Sequence, residues 1–151
     1  MKVTTSQLKS LIKESIHEVM KEQVKGIDIK GHKNLTIESE HSFSQLPAWF
    51  KKAKTENAVV YIDPNQLFVW RSGTWKDGVS KKMIWYDGTW KMGVWENGYW
   101  WNGTWENGNW EYGVFKDGIW EDGIWEDGIW KNGTWLGGKW LDKKNPHPNE
   151  R

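Results

Sequence analysis

The sequence has no cysteine, which removes disulfides and thiolate chemistry and leaves the redox compartment open. It has no apolar run long enough to span a bilayer, so no membrane partner is expected. Its charges nearly cancel at +1, so no global field draws it to nucleic acid or an anionic surface. The four histidines, His17, His32, His41 and His147, have no metal-ligand spacing. Glycine never forms a phosphate-cradling loop ahead of a helix. No nucleophile, base and orienting group fall together. The expectation is a protein that is not an enzyme and needs neither cofactor nor metal. The opening "MKVTTSQLKSLIKESIHEVMKEQ" is charged throughout and unlike a secretory leader. A cytoplasmic or virion-associated location follows as the expectation.

What the chain has is tryptophan at a fixed interval. Positions 70, 75, 85, 90, 95, 100, 105, 110, 120, 125, 130, 135 and 140 are all Trp, and only Ser80 and Phe115 break the series. Gly follows three residues later as far as Gly138, except at Met83, and is usually preceded by Asp or Asn. The unit is W-x-[DN]-G-[TVI]. A helix is excluded, because a glycine in every unit costs about 1 kcal/mol against alanine. One long strand is also excluded, because five is odd and successive Trp residues would face opposite sides. The chain must bend once per unit, and the [DN]-G pair permits the bend.

Two architectures bend this often. In an antiparallel meander, a strand between two-residue hairpin turns needs an even number of residues. A five-residue unit leaves three. In a β-solenoid each unit forms one side of a coil and bonds to the coils above and below, so parity imposes nothing. The expected fold is therefore an all-β repeat, a β-solenoid with an N-terminal α-helix, with the meander ribbon as its alternative. Asp or Asn recurs every ten residues at 77, 87, 97, 107, 117 and 127. That super-period suggests four sides, twenty residues per coil and under four coils.

The spacing of Gly and Trp resembles the pentapeptide-repeat proteins, whose five-residue units form the sides of a four-sided β-helix. The resemblance implies inward-pointing small and large residues. This chain departs from it in carrying Trp where that family has Leu or Phe, and in placing Asp or Asn after that residue. The "WKDG" and "WENG" pieces also resemble MORN repeats, without their longer period.

The residues flanking Trp include Arg71, Lys76, Lys91, Glu96, Glu106, Glu111, Lys116, Glu121, Glu126 and Lys131. Such charges cannot line a tight core unpaired, so the indoles must face inward. The expected core is Trp70, Trp75, Trp85, Trp90, Trp95, Trp100, Trp105, Trp110, Phe115, Trp120, Trp125, Trp130, Trp135 and Trp140. Trp101 is off register and points outward, near Tyr99. With Tyr86 and Tyr112 it is the candidate exposed aromatic patch, which raises a glycan as a second class of ligand.

Four segments are expected: a helix over 1–25, a linker and cap over 26–68, the repeat over 69–142, and a disordered tail over 143–151. Thr4 and Gln7 make a capping box, and Gly26 suits the helix end. Leu8, Leu11, Ile12, Ile16, Val19 and Val24 form one apolar stripe, fit for a protein partner or self-association. The "SQLK-LIKE" opening resembles those of proteins from tailed phages of marine bacteria. Ile16-His17-Glu18 resembles the sites that phage prohead proteases cut. "GIDIK" and "NLTIES" read as strands, "LPAWFKKAK" as a short helix, and Asp63-Pro64-Asn65-Gln66 as a turn before the repeat. Charge is uneven: residues 71–91 are mainly basic, and 96–127 hold eight acidic residues against Lys116. This raises DNA mimicry as a third reading, against which the basic first half argues.

Overall fold

The computed structural model describes residues 4–12 and 24–151. Residues 5–12 form a helix, α1. The capping box predicted for its start is present. Gln7 Oε1 accepts from the Thr4 N–H at 2.9 Å, and Thr4 Oγ1 accepts from the Gln7 N–H at 3.1 Å. Ile16, Val19 and the Ile16-His17-Glu18 motif lie outside the described residues. Val24 does not belong to the apolar stripe of the helix. It is buried against the following strands, and its carbonyl accepts from the Ile37 N–H at 2.8 Å.

Next come β1 (Ile27–Ile29), β2 (His32–Ile37), a 3-10 turn at Phe43–Gln45, α2 (Ala48–Lys52), β3 (Lys54–Ile62) and β4 (Phe68–Asp77). β2 runs parallel to β3, and β3 pairs antiparallel with β4. The turn between β3 and β4 is held by Asp63, whose carboxylate accepts from the Asn65 and Leu67 N–H groups, both at 2.9 Å. These elements pack against the start of the repeat. Phe50 on α2 closes the aromatic core from below, with ring centroids 6.5 Å from Trp70 and 6.3 Å from Trp75. Arg71–Glu38 at 2.8 Å and Lys76–Glu56 at 3.0 Å join the first coil to the cap strands.

From β4 onward the chain is a parallel β-solenoid of about five coils. The expected class is right and the expected number of sides is not. Every strand pairs with the strand fifteen residues later: Trp70 with Trp85, Trp75 with Trp90, Trp95 with Trp110. A coil therefore has three sides of five residues, not four. The first side carries Trp70, Trp85, Trp100, Phe115 and Trp130. The second carries Trp75, Trp90, Trp105, Trp120 and Trp135. The third carries Ser80, Trp95, Trp110, Trp125 and Trp140. No meander pairing occurs between successive units.

The size of the indole explains why three sides suffice. Within a coil, neighbouring rings meet edge to face, as Trp95 and Trp100 do at 5.9 Å and 73°. Between coils, rings stack almost parallel, as Trp90 and Trp105 do at 4.9 Å and 6°. Both are favoured geometries for aromatic pairs. Ten of the indoles are fully buried. Trp140, on the last coil, is only partly covered. Several indole N–H groups donate to the main chain seventeen residues on, among them Trp85 to the Asn102 carbonyl at 3.0 Å.

The corner residues have two separate jobs. The Asp or Asn side chain accepts from the N–H of the next glycine, as Asp87 does from Gly88 at 2.8 Å. The glycine holds φ at +124° at residue 88 and near that value along the stack. A Cβ on Gly103 would run into the carbonyl oxygen of Gly88, one coil below. That same carbonyl accepts from the Thr104 N–H at 2.9 Å. Glycine is required because two backbones approach here, as well as because the chain turns.

Residues 143–151 are not a disordered tail. They fold back over the last coil and end in a 3-10 turn at Pro148–Glu150. Arg151 Nη1 donates to the Trp130 carbonyl at 2.6 Å, and Asn149 Nδ2 to the Trp135 carbonyl at 3.4 Å. His147 packs edge-on against Trp135 and Trp140 at 5.1 and 5.7 Å. The unpaired end of a β-array invites association with another chain, and here side-chain donors occupy part of it.

Candidate functional site

In each two-residue strand the Trp points in and its neighbours point out, so each side of the coil presents two outward columns with a fifteen-residue period. The first side presents Ile84, Tyr99, Val114 and Ile129 beside Arg71, Tyr86, Trp101, Lys116 and Lys131, with Val69 at the foot of the first column buried where β4 pairs with β3. The second presents Thr74, Thr89, Thr104, Ile119 and Thr134 beside Lys76, Lys91, Glu106, Glu121 and Leu136. The third presents Val79, Val94, Asn109, Ile124 and Lys139 beside Lys81, Glu96, Glu111, Glu126 and Leu141. A repeat that looks uniform in sequence thus builds three chemically different faces.

The first face gathers the candidate aromatic patch. Tyr86 and Trp101 stack at 5.9 Å and 17°, and Tyr99 meets Trp101 at 4.9 Å. Lys116 Nζ sits 3.8 Å from the centre of the Trp101 ring. Tyr86 is one coil below Trp101 and Lys116 one coil above, so both faces of this indole are covered. The cation over the ring is a favourable contact in its own right. Trp101 therefore offers a ligand mainly its edge.

Tyr112 does not join this stack. It stands across the next corner from Tyr99, and the two line a trough of about 250 Å³ with Gly98 and Gly113. Tyr112 is 52 % exposed. Gly98 and Gly113 lie where one coil approaches the next, each against the main chain fifteen residues earlier, at Met83 and Gly98. Leu67, Lys82, Met83, Ile84, Asn97 and Val114 complete the trough, and none of them belongs to the patch expected from the sequence. Their signal was present: Ile84, Tyr99 and Val114 are spaced by fifteen.

The acidic residues behind the DNA-mimic reading also sort by face. Glu96, Glu111 and Glu126 stack on the third side. Burial first, and then the two neighbouring carboxylates, push the Glu111 carboxyl above its ordinary range. Lys116 and Lys131 stand on a different side, so no face is acidic from end to end. Among the described residues, no group of three His, Asp or Glu side chains is arranged to hold a metal ion. Nor is any helix among them long and apolar enough to cross a membrane.

The cap holds a buried histidine. His32 Nδ1 lies 2.7 Å from Thr55 Oγ1, and its ring stacks on Phe50 at 4.6 Å. Its Nε2 has no hydrogen-bond partner. Burial pushes its pKa below the ordinary value, and the nearby backbone of Lys51 and Phe50 offsets part of that shift.

These features define a tryptophan-cored, three-sided parallel β-solenoid, closed below by a small mixed sheet and above by a folded-back tail. Comparison of the chain with known protein families, curated proteins and solved structures finds no match.

Proposed function

We propose that the chain is a non-enzymatic structural or protein-interaction protein, in which α1 docks on a protein partner or a second copy and the solenoid is the rigid body it carries. The observation that supports this is a contrast in burial. Leu8, Leu11 and Ile12 on α1 are 53 %, 54 % and 50 % exposed, whereas the inward-facing indoles of the solenoid from Trp70 to Trp125 are wholly covered. Exposed apolar residues clustered on one helix mark an interaction surface, and an amphipathic helix binds by laying its apolar face into a groove. A tailed-phage assembly is the setting attached to this reading, on the resemblance of the opening residues alone.

The test is a full-length variant with Leu8→Glu, Leu11→Glu and Ile12→Glu together. It should keep the native Trp emission and melting profile and lose its self-association, or its co-purification with a partner. Loss of the native Trp signal would show that α1 is part of the fold. Unchanged association would show that docking lies elsewhere. Sugar stacking on Trp101 finds both ring faces taken, so a glycan enters below as a competitor for the neighbouring trough.

A further inference from the structure

We infer that the trough between Tyr99 and Tyr112 receives a proline-rich segment of a partner protein in the polyproline II conformation. This site is separate from α1 and does not depend on the docking proposed for that helix.

Three observations converge on that occupant. The first is shape. The trough crosses the rungs at Ile84, Tyr99 and Val114, which are two coils apart from end to end. Coils are spaced as the stacked indoles are, 4.6 Å for Trp85 on Trp100 and 4.8 Å for Trp95 on Trp110. Two coils therefore measure about 9.5 Å at the usual strand spacing. One turn of polyproline II, three residues at 3.1 Å, advances about 9.3 Å. A ligand lying along the solenoid axis can place every third residue in the same relation to the wall. A β-strand repeats on one side about every 6.7 Å and falls out of step with the rungs.

The second is hydrogen bonding. The lining is almost wholly apolar, and the floor is made of Gly98 and Gly113, so the trough has little to offer a row of backbone donors. Proline has no N–H to satisfy. Strand addition is disfavoured for a further reason: each side of the solenoid is already paired to the coils above and below. The third is the wall itself. Tyrosines beside a bare floor make the kind of aromatic groove in which the ridged face of polyproline II docks. Lys82 lines one end with Lys81 beside it, while Glu96 and Glu111 adjoin Asn97 and Tyr112 further along the same wall, so an acidic residue is favoured at the Lys82 end alone.

The experiment titrates the full-length protein into a fluorescently labelled peptide of repeated Pro-Pro-Leu units preceded by two aspartates, and follows anisotropy. Binding is expected. Tyr112→Ala should weaken it about tenfold, the loss typical of a central aromatic anchor. Lys82→Gln should weaken it a few-fold at low salt and little at high salt. Tyr86→Ala, and the triple substitution on α1, should leave it unchanged. Tyr112 is exposed, so Tyr112→Ala should keep the native Trp emission, and Tyr112→Glu serves as a second variant on the same position. The inference is overturned if the peptide does not bind, if a version with glycine for proline binds equally well, or if the Tyr112 variants bind as the wild type does. It is also overturned if an oligosaccharide of β-linked glucose or N-acetylglucosamine binds the trough and the peptide does not.

Discussion

Trp85 lies on Trp100 with ring centroids 4.6 Å apart and planes 6° from parallel, fifteen residues later in the chain. The same relation joins Trp75 to Trp90 and Trp110 to Trp125. Three such stacks run through the molecule, one per side, and the coils share almost no other core. The stability of the repeat should follow from this arrangement, coil by coil.

Trp105→Ala should therefore be severe. This ring stacks on Trp90 and Trp120 and meets Trp100 and Trp110 edge-on. Its removal should cost about 3–5 kcal/mol, as for other large aromatic truncations. Trp140, only partly buried on the last coil, should cost markedly less when truncated. Chemical denaturation of the two variants side by side checks the ranking. Equal losses would contradict the stacked core.

Gly103→Ala should destabilise by about 3 kcal/mol, combining a positive φ with overpacking. The added Cβ meets the Gly88 carbonyl oxygen, which belongs to the neighbouring coil and cannot move alone. Gly137 has no positive φ, and a Cβ there meets only the Glu121 carbonyl, at 3.0 Å. Gly137→Ala should be far milder. Thermal melts of both variants distinguish a glycine needed for coil contact from one that is not.

Acid should weaken the cap before it weakens the coils. His32 is held below its ordinary value by burial. The unfolded chain therefore takes up a proton first as pH falls through about 6.5. Folding stability is complete above that value and declines as pH falls toward the depressed value of the folded state. Glu111 acts in the opposite sense. Its raised value means that the folded state gains from protonation, which removes the cost of burying the charge and then relieves repulsion from Glu126 and Glu96. His32→Gln should flatten the decline below pH 6.5. Glu111→Gln should raise stability at neutral pH and remove its part of the acid gain. Denaturation midpoints across this pH range read both signs.

Deleting residues 143–151 should add end-to-end association through the last coil to whatever association α1 supports. The deletion removes Arg151 and Asn149 from the Trp130 and Trp135 carbonyls and uncovers Trp140. Sedimentation velocity over a range of concentrations should show the change. A deletion variant that sediments as the full-length protein does at every concentration would show that the last coil needs no cover.

Much of this fold is legible in the residues. The odd unit length argues against a meander, the charges beside each Trp send the indole inward, and the turn chemistry at Asp63 marks where the cap ends. The number of sides was misread because Asp and Asn recur most regularly every ten residues. Those side chains accept from the next glycine N–H, a contact within one corner that carries no information about coil length. The fifteen-residue signal sits in the outward columns, where Thr74, Thr89, Thr104 and Thr134, and also Glu96, Glu111 and Glu126, are stacked neighbours. The tail was misread because its polar composition hides side-chain donors that find carbonyls only once the last coil exists. In the aromatic patch, Trp101 and Tyr99 fall together as parity requires. That Lys116 covers Trp101 and that Tyr112 belongs to a different corner depend on which coil is adjacent, and so on the misread count.

The central claim is the fifteen-residue coil, and the most direct measurement is of the hydrogen bonds between coils. Through-hydrogen-bond nuclear magnetic resonance couplings identify donor and acceptor residues without reference to overall shape. They should link the Thr104 N–H to the Gly88 carbonyl and the Glu106 N–H to the Trp90 carbonyl, pairs 2.9 and 2.7 Å apart. Each link is sixteen residues long, one coil plus one residue. Links about five residues longer would mean a four-sided coil, links between successive units would mean a meander, and either result would contradict the stacked three-sided core.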